Sequence, residues 1–269
     1  MTWTLASIPW NDFDRSQLDP ALVAVAKTAC LVEHNAPVYT RYLSSIFRDD
    51  PIILAAAKRW GDEELQHGQA LRQWCELADP TFDFPTAFSA FTKRILLPEQ
   101  AVESVRGSKT GELLARCVVE SGTSFFYSGL RDAAREPVLR AICARIASDE
   151  FRHYSLFHKQ AARLQHGDFL GLWARWRILI GRMVEGEDDE LAYAWHCVNE
   201  KGTYSRRVAQ GRYFRSTLPI LRRDHFRRCL GMVLRAAGIE GRTGWVQVAA
   251  LIGLSIIRMR MRYLARWAT

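Results

Sequence analysis

At 269 residues with 48% hydrophobic side chains, the chain can hold one large or two small domains around a substantial core. Six cysteines are scattered with no Cys-x-x-Cys pair, which argues against a thiolate zinc or iron–sulfur centre and suits small buried thiols in a reduced, cytoplasmic setting. The net charge of +8 is uneven: residues 201–269 carry 15 Lys/Arg against Asp224 and Glu240, a surplus of 13, which leaves the first 200 residues at −5.

The opening MTWTLASIPWNDFDRSQ lacks a basic region followed by an apolar stretch, so no secretory signal is expected. Asp19-Pro20 predicts the first helix, Asp19 as its cap and Pro20 at its first position, running through Glu33 to about Phe47 with a kink at Pro37. A second helix starts near Asp50-Pro51 and reaches about Leu77, carrying Trp60, Glu64 and His67. Residues 79–110, with Pro80, Pro85 and Pro98, read as a long connection containing some local helix. The third helix, about 111–132, carries Glu120 and Thr123, and the fourth, about 136–164, carries Glu150 and His153. Beyond Gly167, helical patterns cover about 168–185, 188–199, 214–237 and 245–267. An all-α fold is expected, with one unit over 1–165 and a basic helical extension over 166–269.

Two copies of one pattern carry the chemistry: Glu64-Leu65-Gln66-His67 and Glu150-Phe151-Arg152-His153, each preceded by an acid, Glu63 and Asp149. Glu33 lies 31 residues before Glu64, and Glu120 lies 30 before Glu150. Residues i and i+3 of a helix share a face, so each Glu-x-x-His pair aims a carboxylate and an imidazole at one point. The spacing fits an antiparallel hairpin that returns the upstream glutamate opposite its pair. Two such hairpins give a ferritin-like four-helix bundle with four carboxylates and two imidazoles converging, a donor set for two iron ions, with manganese as the alternative. Chance placement yields roughly 0.4 Glu-x-x-His matches in a chain of this composition, so two acid-preceded copies with matching upstream glutamates are a specific signal.

The surroundings of these residues resemble the soluble acyl-carrier-protein desaturases. Glu33 is followed by Pro37 and Tyr39, Trp60 lies four before Glu64, Gly68 follows His67, Thr123 lies three after Glu120, and Asp149-Glu150-x-Arg152-His153 matches that family's fourth-helix signature. The likeness covers about residues 20–165. It implies Glu33, Glu64, His67, Glu120, Glu150 and His153 as ligands, with Glu64 and Glu150 bridging, Asp149 bonded to His67, and Trp60 close by. Pseudo-symmetry makes Glu63 the partner of His153, against the alternative of a solvated surface acid. Thr123 is the candidate for steering a proton, against a hydroxyl bonded back to its own helix. Phe125, Phe126, Tyr127, Tyr154 and Phe157 could line an acyl channel, although helix packing explains most of them.

The implied activity is O2-dependent desaturation of a fatty acyl chain on an acidic acyl-carrier protein, with electrons from an external electron-transfer protein, and the family implies a homodimer. A di-iron hydroxylase, including one acting on tRNA, and a ferroxidase are the alternatives, although nucleic acid is the less favoured partner. The run Val246 to Ile257, interrupted by Gln247 and followed by Arg258, Arg260, Arg262 and Arg266, is too short to span a bilayer. It suits either a helix packed on the bundle or one lying on an anionic membrane surface.

Overall fold

A computed structural model of the chain describes residues 3–185, 189–239 and 244–267, and the described residues are helical without strands. The helices that matter first are α1 (Pro20–His34), α2 (Ala36–Ile46), α3 (Pro51–Ala78), α4 (Phe84–Arg94), α5 (Lys109–Ala133) and α6 (Pro137–Leu164). They start where local chemistry dictates. Asp19, Asp50, Asp83 and Ser108 cap α1, α3, α4 and α5 by accepting backbone N–H bonds, and proline stands in the first turn of α1, α3, α4 and α6. The cap of α6 is Glu136, a buried carboxylate that accepts from the N–H groups of Val138 and Leu139 and from Trp74 Nε1 at 2.7 Å.

The expected first helix is two. It breaks at Asn35, and Pro37 sits in the first turn of α2, where its missing N–H costs nothing, so the proline starts a new helix instead of kinking the old one.

Side-chain contacts fix the directions. Lys27 meets Asp79 and Cys30 meets the carbonyl of Gly68, so α1 runs antiparallel to α3. Trp60 lies on Phe157, His67 on Asp149 and Trp74 on Glu136, so α3 runs antiparallel to α6. The bond from Thr123 to Glu150 and the short Ala134–Glu136 connection make α5 and α6 antiparallel as well. Two glycines on one face of α3 allow the close approach of the first helices. A Cβ on Gly68 would lie 2.8 Å from the backbone nitrogen of His34, and one on Gly61 would lie 1.9 Å from Thr40 Oγ1.

The rest of the chain packs around these helices. Helix α7 (Leu172–Glu185) lies on α5, α8 (Asp189–Asn199) on α1 and α4, and α9 (Arg206–Thr217) on α8. Helix α10 (Arg223–Ala236) covers α5, and α11 (Gly244–Ala265) lies along α9. The single helix expected over 214–237 is interrupted, because Pro219 turns residues 218–220 into a 3-10 segment between α9 and α10. Among the described side chains of α11, Met261, Leu264 and Ala265 pack on the core while Ile252, Ile256, Met259 and Tyr263 are exposed. The side chains of 244–251, 254, 257 and 258, which make up much of the expected apolar run, lie outside the described residues. Among the described residues, no helix is long and apolar enough to cross a membrane.

The cysteines are free, with Cys30, Cys75, Cys117 and Cys143 buried. Burial pushes the Cys75 and Cys143 thiols well above their ordinary range.

Candidate metal centre

Helices α1, α3, α5 and α6 bring all six sequence-predicted ligands to one buried place. Their donor atoms form two overlapping groups, Glu33, Glu64, His67 and Glu150 in one and Glu64, Glu120, Glu150 and His153 in the other, with the atoms of each group within 4.8 Å of one another. Glu64 and Glu150 belong to both. The imidazoles face inward through Nδ1: that of His67 is 3.5 Å from Glu150, 3.7 Å from Glu64 and 3.8 Å from Glu33. The Nδ1 of His153 is 2.9 Å from Glu64, 3.7 Å from Glu120 and 3.8 Å from Glu150.

The outward nitrogens are spoken for. His67 Nε2 meets Asp149 Oδ2 at 3.0 Å, and His153 Nε2 meets Glu63 Oε2 at 2.8 Å. With the Nε2 proton held by these acids, each Nδ1 faces the centre and presents its lone pair there once its own proton is displaced by metal. Arg152 joins the two acids, donating through Nη2 to Asp149 Oδ1 at 2.5 Å and to Glu63 Oε2 at 3.4 Å. Burial alone would raise both carboxyls, but their imidazole and guanidinium partners outweigh it, holding Glu63 at about 2 and Asp149 well below the usual carboxylate range.

Inside the centre the balance reverses for two acids. Burial, with the neighbouring charge of Glu64 on one and of Glu150 on the other, pushes Glu33 and Glu120 well above the ordinary range. Burial would lower His67 and His153, but the surrounding carboxylates raise both well above the usual histidine value. Glu64 Oε1, His67 Nδ1, Glu120 Oε1, Glu150 Oε1 and His153 Nδ1 are buried without a well-aligned hydrogen bond among the described residues, although Glu64 Oε1 and His153 Nδ1 lie 2.9 Å apart. Orphaned donors and acceptors of this kind are costly unless something binds them. Four carboxylates match the charge of two divalent cations, so the donor set fits a metal pair in charge and in chemistry.

The remaining predicted residues are placed as follows. Thr123 Oγ1 lies 2.7 Å from Glu150 Oε2, and also 3.2 Å from the carbonyls of Val119 and Glu120, so both readings of its hydroxyl have a partner. Trp60 is buried one turn before Glu64 with its ring edge on Phe157, and its Nε1 meets no acceptor among the described residues. Tyr154 donates to the Met232 carbonyl at 2.7 Å and Phe125 packs at a tilt on Phe226, so these two fasten α10 to α6 and α5.

Trp3 and Arg116 went unread in the sequence, and Tyr127 was read there only as a channel wall or packing residue. Trp3 stacks parallel to His67 at 6.0 Å and donates to Asp149 Oδ2 at 2.9 Å. Tyr127 donates to Glu33 Oε1 at 2.5 Å. Arg116 lies one turn before Glu120. Tyr127 stands seven residues after Glu120, on the same helix face, a spacing that could have marked it. No local pattern points from Trp3 to a histidine 64 residues away.

No family model matches the chain, and no curated protein is significantly similar to it. What fold and site define is an all-helical protein with buried carboxylate and histidine groups that could hold metal.

Proposed function

We propose that α1, α3, α5 and α6 form a ferritin-like four-helix bundle holding two iron ions, and that the protein is an O2-dependent di-iron oxidoreductase that desaturates an acyl chain. The observation that carries this reading is the sharing of Glu64 and Glu150 between two ligand groups, each with its own imidazole and each imidazole backed by its own acid. Glu33, Glu64, His67 and Glu150 would hold one ion, and Glu64, Glu120, Glu150 and His153 the other. The iron pair, when bound, supplies dioxygen activation and removal of hydrogen from an unactivated C–H bond.

The chain's own groups do the rest. Asp149 and Glu63 hold the Nε2 protons and keep the imidazoles aligned. The Thr123 hydroxyl, within reach of Glu150, hands a proton to or from the centre. Trp60 and Phe157 shut water out on the side facing α2. In the desaturation, two hydrogens leave adjacent carbons and, with dioxygen, two protons and two electrons from an external donor, emerge as two waters. The basic surplus after residue 200 suits docking of an acidic carrier or donor protein.

The test is a single turnover of the iron-loaded, reduced protein with acyl chains presented on a carrier and as free acids, read by mass spectrometry. Loss of two hydrogens supports desaturation, and gain of oxygen points to a hydroxylase. Oxidised iron with every substrate untouched contradicts the proposal in favour of ferroxidase.

A further inference from the structure

Among its described side chains, helix α11 shows two apolar faces and needs only one of them to hold it to the protein. Met261, Leu264 and Ala265 pack on the core, where α11 lies along α9. On the opposite side Ile252, Ile256, Met259 and Tyr263 recur at intervals of four, three and four residues, which sets them in one stripe along the helix. Each is more than half exposed, from 53% for Tyr263 to 60% for Met259. A row of large apolar side chains left in water on one face marks a surface that meets something apolar.

The charge around the stripe narrows what that partner is. At about 100° per residue, Arg260 falls on one edge of the stripe and Arg262 on the other, Arg266 follows just past the helix end, and all three are exposed. Residues 241–269 contain five arginines and no acid. A second copy of α11 laid on this face would set arginine against arginine with no carboxylate from either helix between them, so self-association is opposed. An acidic protein face would answer the arginines but leave the isoleucines against polar groups. An anionic bilayer surface meets both demands, because acyl chains take the stripe while headgroup phosphates take the guanidiniums, whose aliphatic stems reach up from its edges. Tyr263 and the exposed Trp267 carry the amphipathic rings that settle at headgroup level. Among the described residues no helix is long and apolar enough to cross a membrane, so the contact is one-sided.

We infer that α11 is an interfacial helix that seats the protein on an anionic lipid surface, with Ile252, Ile256, Met259 and Tyr263 among the acyl chains and Arg260, Arg262 and Arg266 on the lipid phosphates. The seating does not depend on the metal centre. Because charge supplies part of the attraction, salt weakens it, and because the stripe supplies the rest, charge alone does not sustain it.

The experiment is flotation of the full-length protein with vesicles of phosphatidylcholine alone and of phosphatidylcholine mixed with phosphatidylglycerol, at low and high salt, with circular dichroism on each variant. Each arginine near an anionic surface strengthens binding about fivefold, so the mixed vesicles should bind about 100-fold more tightly than the neutral ones at low salt. Arg262→Gln with Arg266→Gln should weaken that binding about 25-fold. Lys58→Gln with Arg59→Gln removes the same charge from the exposed surface of α3 and should change it by less than about twofold. Ile256→Ser with Met259→Ser keeps every charge and should weaken it about tenfold or more, because two apolar side chains no longer leave water. No binding to the mixed vesicles, equal binding to the neutral ones, or as large a loss in the α3 variant as in the α11 arginine variant would overturn the inference. An unchanged affinity in the folded Ile256→Ser, Met259→Ser protein would also overturn it, by reducing the contact to the charge that an acidic protein satisfies equally. A dimer in solution that this variant splits would assign the stripe to a second copy instead.

Discussion

Replacing Asp149 by asparagine isolates the role of the acid behind His67. Asp149 accepts from His67 Nε2 at 3.0 Å and Trp3 Nε1 at 2.9 Å on one oxygen, and from Arg152 Nη2 at 2.5 Å on the other. An amide keeps one acceptor and turns the other into a donor. Either orientation therefore sets an N–H against an N–H, facing Arg152 in one case and both His67 and Trp3 in the other. The negative charge that makes the imidazole a stronger base is lost as well. Changes of this kind cost about 10- to 100-fold in metal affinity, roughly 1.4 to 2.7 kcal/mol. The assay is competition against a chelator under anaerobic conditions with ferrous iron, paired with circular dichroism to confirm the helices. Affinity within twofold of the unaltered protein, with helicity intact, would refute the claim that Asp149 aligns His67.

Three further outcomes are expected. Metal loading should release protons, as many as four, one each from Glu33, Glu120, His67 and His153, because all four are held above their ordinary values in the metal-free protein. A raised carboxyl or imidazole keeps its proton to higher pH and competes with metal, so affinity should rise with pH through the neutral range. Indicator-dye titration checks the release, and a value near zero contradicts it. Gly68→Ala puts a methyl 2.8 Å from the backbone of α1 beside Glu33, and should cost about 1–3 kcal/mol in urea unfolding while weakening metal binding. Glu136→Ala removes the cap of α6 and orphans the Trp74 N–H, for about 2–4 kcal/mol of stability, with metal stoichiometry unchanged when the protein is folded.

The convergence of the six donors was legible because it depends on helix periodicity alone: once the i, i+3 pairs and the upstream glutamates sit on helices, antiparallel pairing leaves little choice about where they meet. The helix starts were equally plain, in Asp19-Pro20 and Asp50-Pro51. What escaped depends on contacts between distant segments. Trp3 reaches Asp149 only because three short 3-10 turns fold the first residues back over α3 and α6, and nothing in their sequence marks that path. Nothing in the local sequence of α5 marks Arg116, whose burial comes with Tyr39 of α2 packing on its guanidinium. The break between α9 and α10 was in view at Pro219, but the apolar pattern continuing on either side hid it.

The most direct measurement is the metal content of Glu64→Ala beside that of Glu33→Ala and the unaltered protein after anaerobic loading with ferrous iron. The unaltered protein should hold about two ions per chain, Glu33→Ala should lose one of them, and Glu64→Ala, which removes a ligand common to both groups, should lose both. An unaltered protein that takes up no iron, or a Glu64→Ala protein that still holds the full complement, would contradict the di-metal centre.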